Sequence, residues 1–316
     1  MNGIKNYLRI ARFDHWIKQL FLLPGVVFAV VLIGFEAESI PAWILRFILV
    51  YIATSLIASA NYIINEWLDA EFDRFHPIKK TRPVVTQNMK APVIVAEYLI
   101  FAACGLLLVW FISFPIFISA CLLLLMGILY NVKPVRFKDI PYLDVLTESI
   151  NNALRLLIGW LIVVPSLLPP SSIVIGYWMG GAFLMGIKRF SEYRMIGDAE
   201  QAARYRKSFF HYSERSLLIS SIFYALLSVF FIGIFMIKYR IELLIFIPVL
   251  CALFCYYIWI GYRKDSAAQK PEKLLHEKRL MLFVICAVVL FVVLLFVQIP
   301  ALYWFTENAY IQIPGI

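Results

Sequence analysis

Charge is scarce in this chain, and histidine and cysteine are scarcer. Of its 316 residues 16% are Asp, Glu, Lys or Arg, with four histidines and five cysteines. Cys104, Cys121, Cys251, Cys255 and Cys286 all fall inside apolar runs and lack metal-ligand spacing, so they read as small packing groups. His276 shows neither metal spacing nor a catalytic partner, and His15 and His211 read as polar contacts at most. No Gly-rich phosphate loop and no serine-nucleophile context is present. The alternation of polar and apolar residues that an outer-membrane barrel needs is missing. So are low-complexity segments and linkers, which points to one continuous domain over 1–316. A cleavable signal peptide is not expected either, because Arg9, Arg12, Asp14, His15 and Lys18 interrupt the first twenty residues.

Apolar residues fill the space that these absences leave. They make up 62% of the chain, and the mean hydropathy is +0.83. Together these place the chain among all-α, polytopic membrane proteins. Runs of about 20 apolar residues, the length that crosses a bilayer, recur from end to end. They predict nine transmembrane helices, near 17–36, 41–68, 91–112, 114–131, 143–165, 172–190, 216–237, 241–262 and 279–303. Ala11 to Leu20 reads as an interfacial amphipathic helix with Trp16 as its aromatic anchor.

The connections alternate in character. Those near 37–40, 113, 166–171 and 238–240 are short and almost free of Lys and Arg; the others are long and basic. Of the 29 Lys and Arg residues, 25 fall on the side of the N-terminus and the long loops, leaving Arg46, Arg155, Lys238 and Arg240. The positive-inside rule then puts the N-terminus and long loops in the cytoplasm, at the inner membrane. Nucleic acid is not needed to explain the net charge of +9.

Three polar constellations interrupt the apolar runs. The stretch Asn61 to Arg82 is the most specific. Asn61, Asn65, Asp69 and Asp73 recur at every fourth residue and share one helix face, with Glu66 beside them. Carboxylates so close repel unless a cation or proton lies between them, and oxygen donors of this kind suit Mg²⁺ completed by substrate phosphates. Arg74, His76, Pro77, Lys79, Lys80, Thr81, Arg82 and Pro83 follow, with Pro77 expected to stop the helix. The cations suit phosphate oxygens, or serve as membrane-side anchors.

Gly186 to Phe209 forms the second constellation. Lys188 and Glu192 share a helix face where an apolar span ends, flanked by Arg189 and Arg194, with Asp198, Arg204, Arg206, Lys207 and Ser208 beyond. Lys188 and Glu192 read as site residues or as an ordinary helix ion pair. Arg206 and Lys207 read as a phosphate clamp or another anchor. The third is a stripe in the fifth span: Asp144, Glu148, Asn151, Asn152 and Arg155. A charge as far inside the membrane as Arg155 is costly, which leaves a wet cavity with a phosphate partner or a structural pair with Glu148. Lys18, near the N-terminus, could also reach a phosphate.

The pattern Asn65-Glu66-x-x-Asp69-x-x-x-Asp73 at the end of a second span resembles the first acidic motif of the UbiA-type intramembrane prenyltransferase superfamily. The resemblance implies nine helices around a central cavity and covers nearly the whole chain. Those proteins usually carry Asp where this chain has Glu66, which ranks Glu66 below Asp69 and Asp73. Four stretches are most similar to the decaprenyl-phosphate phosphoribosyltransferases: Trp16-Ile17-Lys18, the Asn65 to Pro83 run, Arg155, and Lys188-Arg189-Phe190-Ser191-Glu192. Aromatic prenyltransferases typically have two aspartates at the last of these places, so the set here is more cationic.

That resemblance implies a Mg²⁺-dependent transfer of 5-phosphoribosyl from phosphoribosyl pyrophosphate to a polyprenyl phosphate, and leaves room for a homo-oligomer. Asn65, Glu66, Asp69 and Asp73 would hold the metal. Lys18, Lys79, Lys80, Arg82, Arg155, Arg189, Arg206 and Lys207 would meet phosphates, with Lys188 and Glu192 in the catalytic set. Two alternatives stay open at this point. One is prenyl transfer from a prenyl diphosphate to an aromatic or lipid acceptor. The other is an ion-coupled transporter, which the gathering of charges at span ends argues against.

Overall fold

A backbone that enters lipid finds no water to satisfy its N–H and C=O groups, so apolar runs of this length close their own hydrogen bonds as helices. The computed structural model describes residues 2–34, 39–75, 79–263, 266–269, 274 and 276–306, and no strand occurs among them. The helices are α1 (Asn2–Ile10), α2 (Leu23–Leu32), α3 (Ile40–Asp73), α4 (Pro83–Thr86), α5 (Ala91–Trp110) and α6 (Phe114–Asn131). Then come α7 (Leu143–Val163), α8 (Ser171–Ile196), α9 (Ala199–Tyr205), α10 (Glu214–Tyr239), α11 (Ile247–Tyr262) and α12 (Lys278–Phe296). A proline at the first or second position starts α2, α3, α4, α5, α6 and α11, where its missing N–H costs nothing. Gly197, at φ 71°, ends α8 in the left-handed conformation that glycine adopts freely.

Seven helical stretches among the described residues are long and apolar enough to cross a membrane; five match the expected spans to within about five residues, while the first, Asn6–Leu32, begins well before its expected start at 17 and the last, Lys278–Phe296, ends short of 303. The fifth and sixth expected spans, α7 and α8, are equally long but carry charged residues. Both are packed among other helices: α7 against α2, α6 and α8, and α8 against α10. Buried residues occur on every side of the second half of α7, from Ala153 to Val163. Close approach fixes α2 against α7. A Cβ on Gly25 would lie 2.0 Å from the Leu156 carbonyl oxygen, and one on Gly159 would lie 2.0 Å from that of Leu22.

The N-terminal region departs from expectation. Instead of an interfacial helix over Ala11 to Leu20, α1 ends at Ile10, Arg12 turns the chain at φ 52°, and Phe13–Leu22 continues as a 3₁₀ helix leading into α2. Trp16 is held inside the fold, donating from Nε1 to Ser59 Oγ at 3.0 Å. Its backbone carbonyl accepts from the Tyr51 hydroxyl at 2.9 Å. The polar side of this segment is turned toward α3, and Phe13, Ile17, Leu20 and Phe21 are exposed. The last expected span also ends early, at Phe296, with a short 3₁₀ segment from Pro300. His76 and Pro77 lie outside the described residues.

Candidate active site

The N-terminal segment runs antiparallel to α3 and sets a ladder of levels. Arg12 is 3.8 Å from Glu66, the His15 ring meets the Tyr62 ring edge-on at 5.0 Å, and Trp16 reaches Ser59. α7 and α8 supply the facing wall through Glu148, Lys188, Arg189 and Glu192. Between them is a cavity of about 490 Å³, the size of a small-molecule site. Eight Lys and Arg residues line it against five Asp and Glu residues. Among the lining residues are Arg12, Lys18, Asn65, Glu66, Asp69, Lys79, Arg82, Lys188, Arg189, Glu192 and Arg206. A second pocket, of about 20 Å³, lies on the other side of Asp69 and is lined also by Asp73, Arg136, Lys138, Arg206 and Lys207.

Of the polar stripe on α3, Asn61 turns away from the cavity: it packs on Gly127 and donates to the Leu123 carbonyl at 2.9 Å. Asn65, Glu66 and Asp69 face the larger cavity. Each carboxylate has a cationic partner. Asp73, 2% exposed, accepts from Arg82 at 2.7 Å, and Arg82 also lies 3.6 Å from Glu66. Asp69 is held by Lys138 at 2.5 Å and Arg136 at 3.0 Å. Burial pushes the Lys138 ammonium down to about 8, against the pull of Asp69. Burial also opposes the charge on Arg82, but Asp73 and Glu66 hold its pKa above the usual value. The Glu66 arm, which its length ranked lower, reaches the larger cavity, whereas Asp73 borders the smaller one.

On α8, Lys188 and Glu192 do not pair simply with one another. Lys188 lies 3.8 Å from Glu148, while Glu192 takes Arg189 at 3.1 Å and Lys79 at 3.3 Å. Lys79 also contacts the Tyr205 hydroxyl, which joins the loop after α3 to α9 across the mouth of the cavity. Burial lowers the Lys79 pKa less than Glu192 and Tyr205 raise it, so its charge is secure. Arg189 is gripped by Glu148 and donates to the Tyr130 hydroxyl at 3.1 Å. Asp144 is fully buried and anchors the segment after α9. It accepts from Tyr212 at 2.8 Å, Ser208 at 3.1 Å and Arg206 at 3.4 Å. Burial works against the Arg206 charge, and Tyr130, Tyr205 and Asp144 hold its pKa well above the usual value.

Other expected residues lie apart. Arg155 does not reach Glu148; it donates to Gln19 at 2.9 Å and to Asn152 at 3.3 Å, behind the cavity wall. Lys80 is exposed and lines neither pocket. Lys207 is exposed at the edge of the smaller pocket, 5.8 Å over the Phe72 ring, and does not line the larger one. Sequence reasoning passed over Arg12, Tyr130, Arg136, Lys138 and Tyr205. Arg136 and Lys138 were legible in principle: they form the basic loop after the fourth span, counted there only as topological charge. Nothing in the sequence marks Tyr130 or Tyr205.

The donor set is chemically right for Mg²⁺: an amide oxygen from Asn65 and carboxylates from Glu66 and Asp69, with Asp73 one turn on. Among the described residues no three acidic, His or Cys side chains converge as ligands, so substrate phosphates would complete the coordination sphere.

Comparison with known proteins gives this geometry a lineage. Residues 23–276 match the UbiA prenyltransferase family. Protoheme IX farnesyltransferase of Oceanobacillus iheyensis is 27% identical over 212 residues, 62% of this chain. Decaprenyl-phosphate phosphoribosyltransferase of Mycolicibacterium smegmatis is 26% identical over 220 residues, 68% of this chain. The match spans 65% of the length of each relative. A UbiA homolog from Archaeoglobus fulgidus, solved with GPP and Mg²⁺, superposes with a TM-score of 0.67 at 21% identity, covering 92% of this chain and all of that one. The chain belongs to the UbiA prenyltransferase family.

Proposed function

We propose that the protein transfers 5-phosphoribosyl from phosphoribosyl pyrophosphate to a polyprenyl phosphate, releasing pyrophosphate, with Mg²⁺ as cofactor. The observation that carries this reading is the cationic excess of the cavity. Lys79, Arg82, Lys188, Arg189 and Arg206 converge on one space from the loop after α3, from α8 and from the segment after α9. The excess of three Lys and Arg over Asp and Glu in the lining suits two phosphorylated substrates better than one diphosphate. The phosphoribosyltransferase from M. smegmatis agrees with this reading.

In the reaction a lipid phosphate oxygen attacks C1 of the ribose while the bond from C1 to the pyrophosphate oxygen breaks. The nucleophile is already anionic, so no strong general base is required. Asn65, Glu66, Asp69 and Asp73 would hold Mg²⁺, which supplies charge stabilisation on the departing pyrophosphate. Arg82 bridges Glu66 and Asp73 and keeps the acidic end of α3 in register. Glu192, held by Arg189 and Lys79, would orient a ribose hydroxyl. The orientation that goes with this chemistry puts the cavity mouth and long loops in the cytoplasm, where a water-soluble donor would arrive.

A second reading, prenyl transfer from a prenyl diphosphate, is favoured by the similar identity to the farnesyltransferase from O. iheyensis. One assay separates the two. Purified protein with Mg²⁺ is offered labelled phosphoribosyl pyrophosphate and polyprenyl phosphate, and in parallel polyprenyl diphosphate and 4-hydroxybenzoate. Label entering the lipid phase in the first reaction, and its loss on chelation with EDTA, is the expected outcome. Product confined to the second would establish prenyl transfer instead.

A further inference from the structure

One side chain lining the larger cavity has no part in the reaction described above, and it comes from late in the chain. Gln269 ends a short 3₁₀ segment, Ala267–Gln269, in the connection between α11 and α12. The segment is firmly held. Ser266 is fully buried; its hydroxyl donates to the Ile260 carbonyl at 2.8 Å and accepts from the Ala268 N–H at 3.1 Å. Ala267 and Ala268, 3% and 2% exposed, belong to the same buried cluster as Ile187 and Ile260. Gly261 lets α11 come close to α8 at this level, since a Cβ there would lie 2.7 Å from a methyl group of Ile187.

The Gln269 carboxamide is anchored by its donor end. Nε2 donates to the Ser191 carbonyl at 3.2 Å and to the Ser191 hydroxyl at 3.3 Å. Among the described residues no donor is bonded to Oε1. Ser191 is 1% exposed and directly precedes Glu192, so the carboxamide is fixed next to a residue whose carboxylate also lines the cavity. The carboxylates around it already face cations: Glu66 meets Arg82, Asp69 meets Lys138, Glu148 meets Arg189, and Glu192 meets Arg189 and Lys79.

A carbonyl oxygen can only accept. It offers nothing to a phosphate oxygen, which is also an acceptor, and nothing to a prenyl chain, which has no polar hydrogen. Its partner must bring an O–H or N–H. In a cavity whose cations select phosphates, a sugar or other polyol phosphate carries that group beside the charge. We propose that Gln269 is a specificity-determining residue, its Oε1 accepting a hydroxyl of the phosphorylated substrate so that a polyol phosphate is preferred to a prenyl diphosphate. Naming the polyol as the ribose of phosphoribosyl pyrophosphate rests on the phosphoribosyl-transfer reading. A ligand without the hydroxyl leaves this oxygen covered and unpaired, which is how a polar site rejects such an analogue.

Binding without turnover tests the assignment. Phosphoribosyl pyrophosphate and inorganic pyrophosphate are titrated calorimetrically into wild type, Gln269→Met and Ser191→Ala, in detergent with Mg²⁺ and no lipid acceptor. Gln269 is half-buried at the end of a loop, and elution volume and helicity confirm that each variant is folded. Gln269→Met keeps the length of the side chain and removes the acceptor. It should weaken phosphoribosyl pyrophosphate about five- to tenfold and leave pyrophosphate within about twofold. Ser191→Ala withdraws one of the two anchoring acceptors but leaves Oε1, so both ligands should stay within about twofold. Equal weakening of both ligands by Gln269→Met would make the residue a loop anchor and overturn the assignment. A preference for phosphoribosyl pyrophosphate that survives Gln269→Met would also overturn it, with the phosphoribosyl reading intact. Wild type that binds phosphoribosyl pyrophosphate no more tightly than pyrophosphate would sink both.

Discussion

Asp73 and Asp69 share a spacing on α3 but not their surroundings. Asp73 is buried against Arg82, and Asp69 stands between two pockets with Arg136 and Lys138 upon it. Asp73→Asn keeps the volume and removes the charge that pairs with Arg82 and that the Mg²⁺ of the proposed reaction would need. Turnover should fall by at least about a hundredfold, with elution volume and helicity unchanged. Retained activity would remove Asp73 from the metal set. Lys138→Met tests the other carboxylate. It withdraws the shortest partner of Asp69 and leaves Arg136 alone, so it should cost about 2 kcal/mol of stability, read as a lowered Tm in detergent. Much of this site was legible residue by residue. A four-residue period of Asn and Asp on an apolar helix has few explanations, and the cations after it were visible as a group. The partnering was not legible, because Arg12–Glu66, Lys79–Glu192 and Arg206–Asp144 join residues 54, 113 and 62 apart, set only by packing.

Helices were the most legible elements, because apolar length and proline starts are local signals. Seven stretches pass the test of length and apolarity. α7 and α8 were readable by continuing the pattern through their polar residues, and the structure explains the polarity by enclosing both helices among others. The N-terminal segment was misread for a physical reason. Its amphipathic pattern is real, but the polar side turns to α3, and the pattern alone cannot choose between a neighbouring helix and the membrane surface. Contact between α2 and α7 holds this segment in place beside α3. Gly159→Ala puts a methyl group against the Leu22 carbonyl, where no side chain can move aside. We expect a loss of about 1–3 kcal/mol by thermal melting, with activity falling further as Lys18 and Arg12 shift from the cavity. An unchanged Tm would mean that the α2–α7 contact is looser than the backbone spacing indicates.

At the scale of the whole molecule, the asymmetry of basic residues and the location of the cavity mouth make the same demand. Lys79, Arg82, Arg136 and Arg206 lie in the connections after α3, α6 and α8, and all reach the pockets on that side. The opposite connections hold few Lys or Arg residues, Lys238 and Arg240. If the positive-inside rule governs this chain, the mouth faces the cytoplasm, and a water-soluble donor needs no transport to reach it. Position-specific labelling decides the point. Lys80 and Leu168 are both exposed and lie in connections on opposite sides of the bundle. In a background without the five native cysteines, all of which lie within the long helices, Lys80→Cys should resist a membrane-impermeant maleimide in intact cells and react in inverted vesicles. Leu168→Cys should show the reverse. Labelling of Lys80→Cys from outside would invert the topology, and the donor would then have to be supplied on the far side of the membrane.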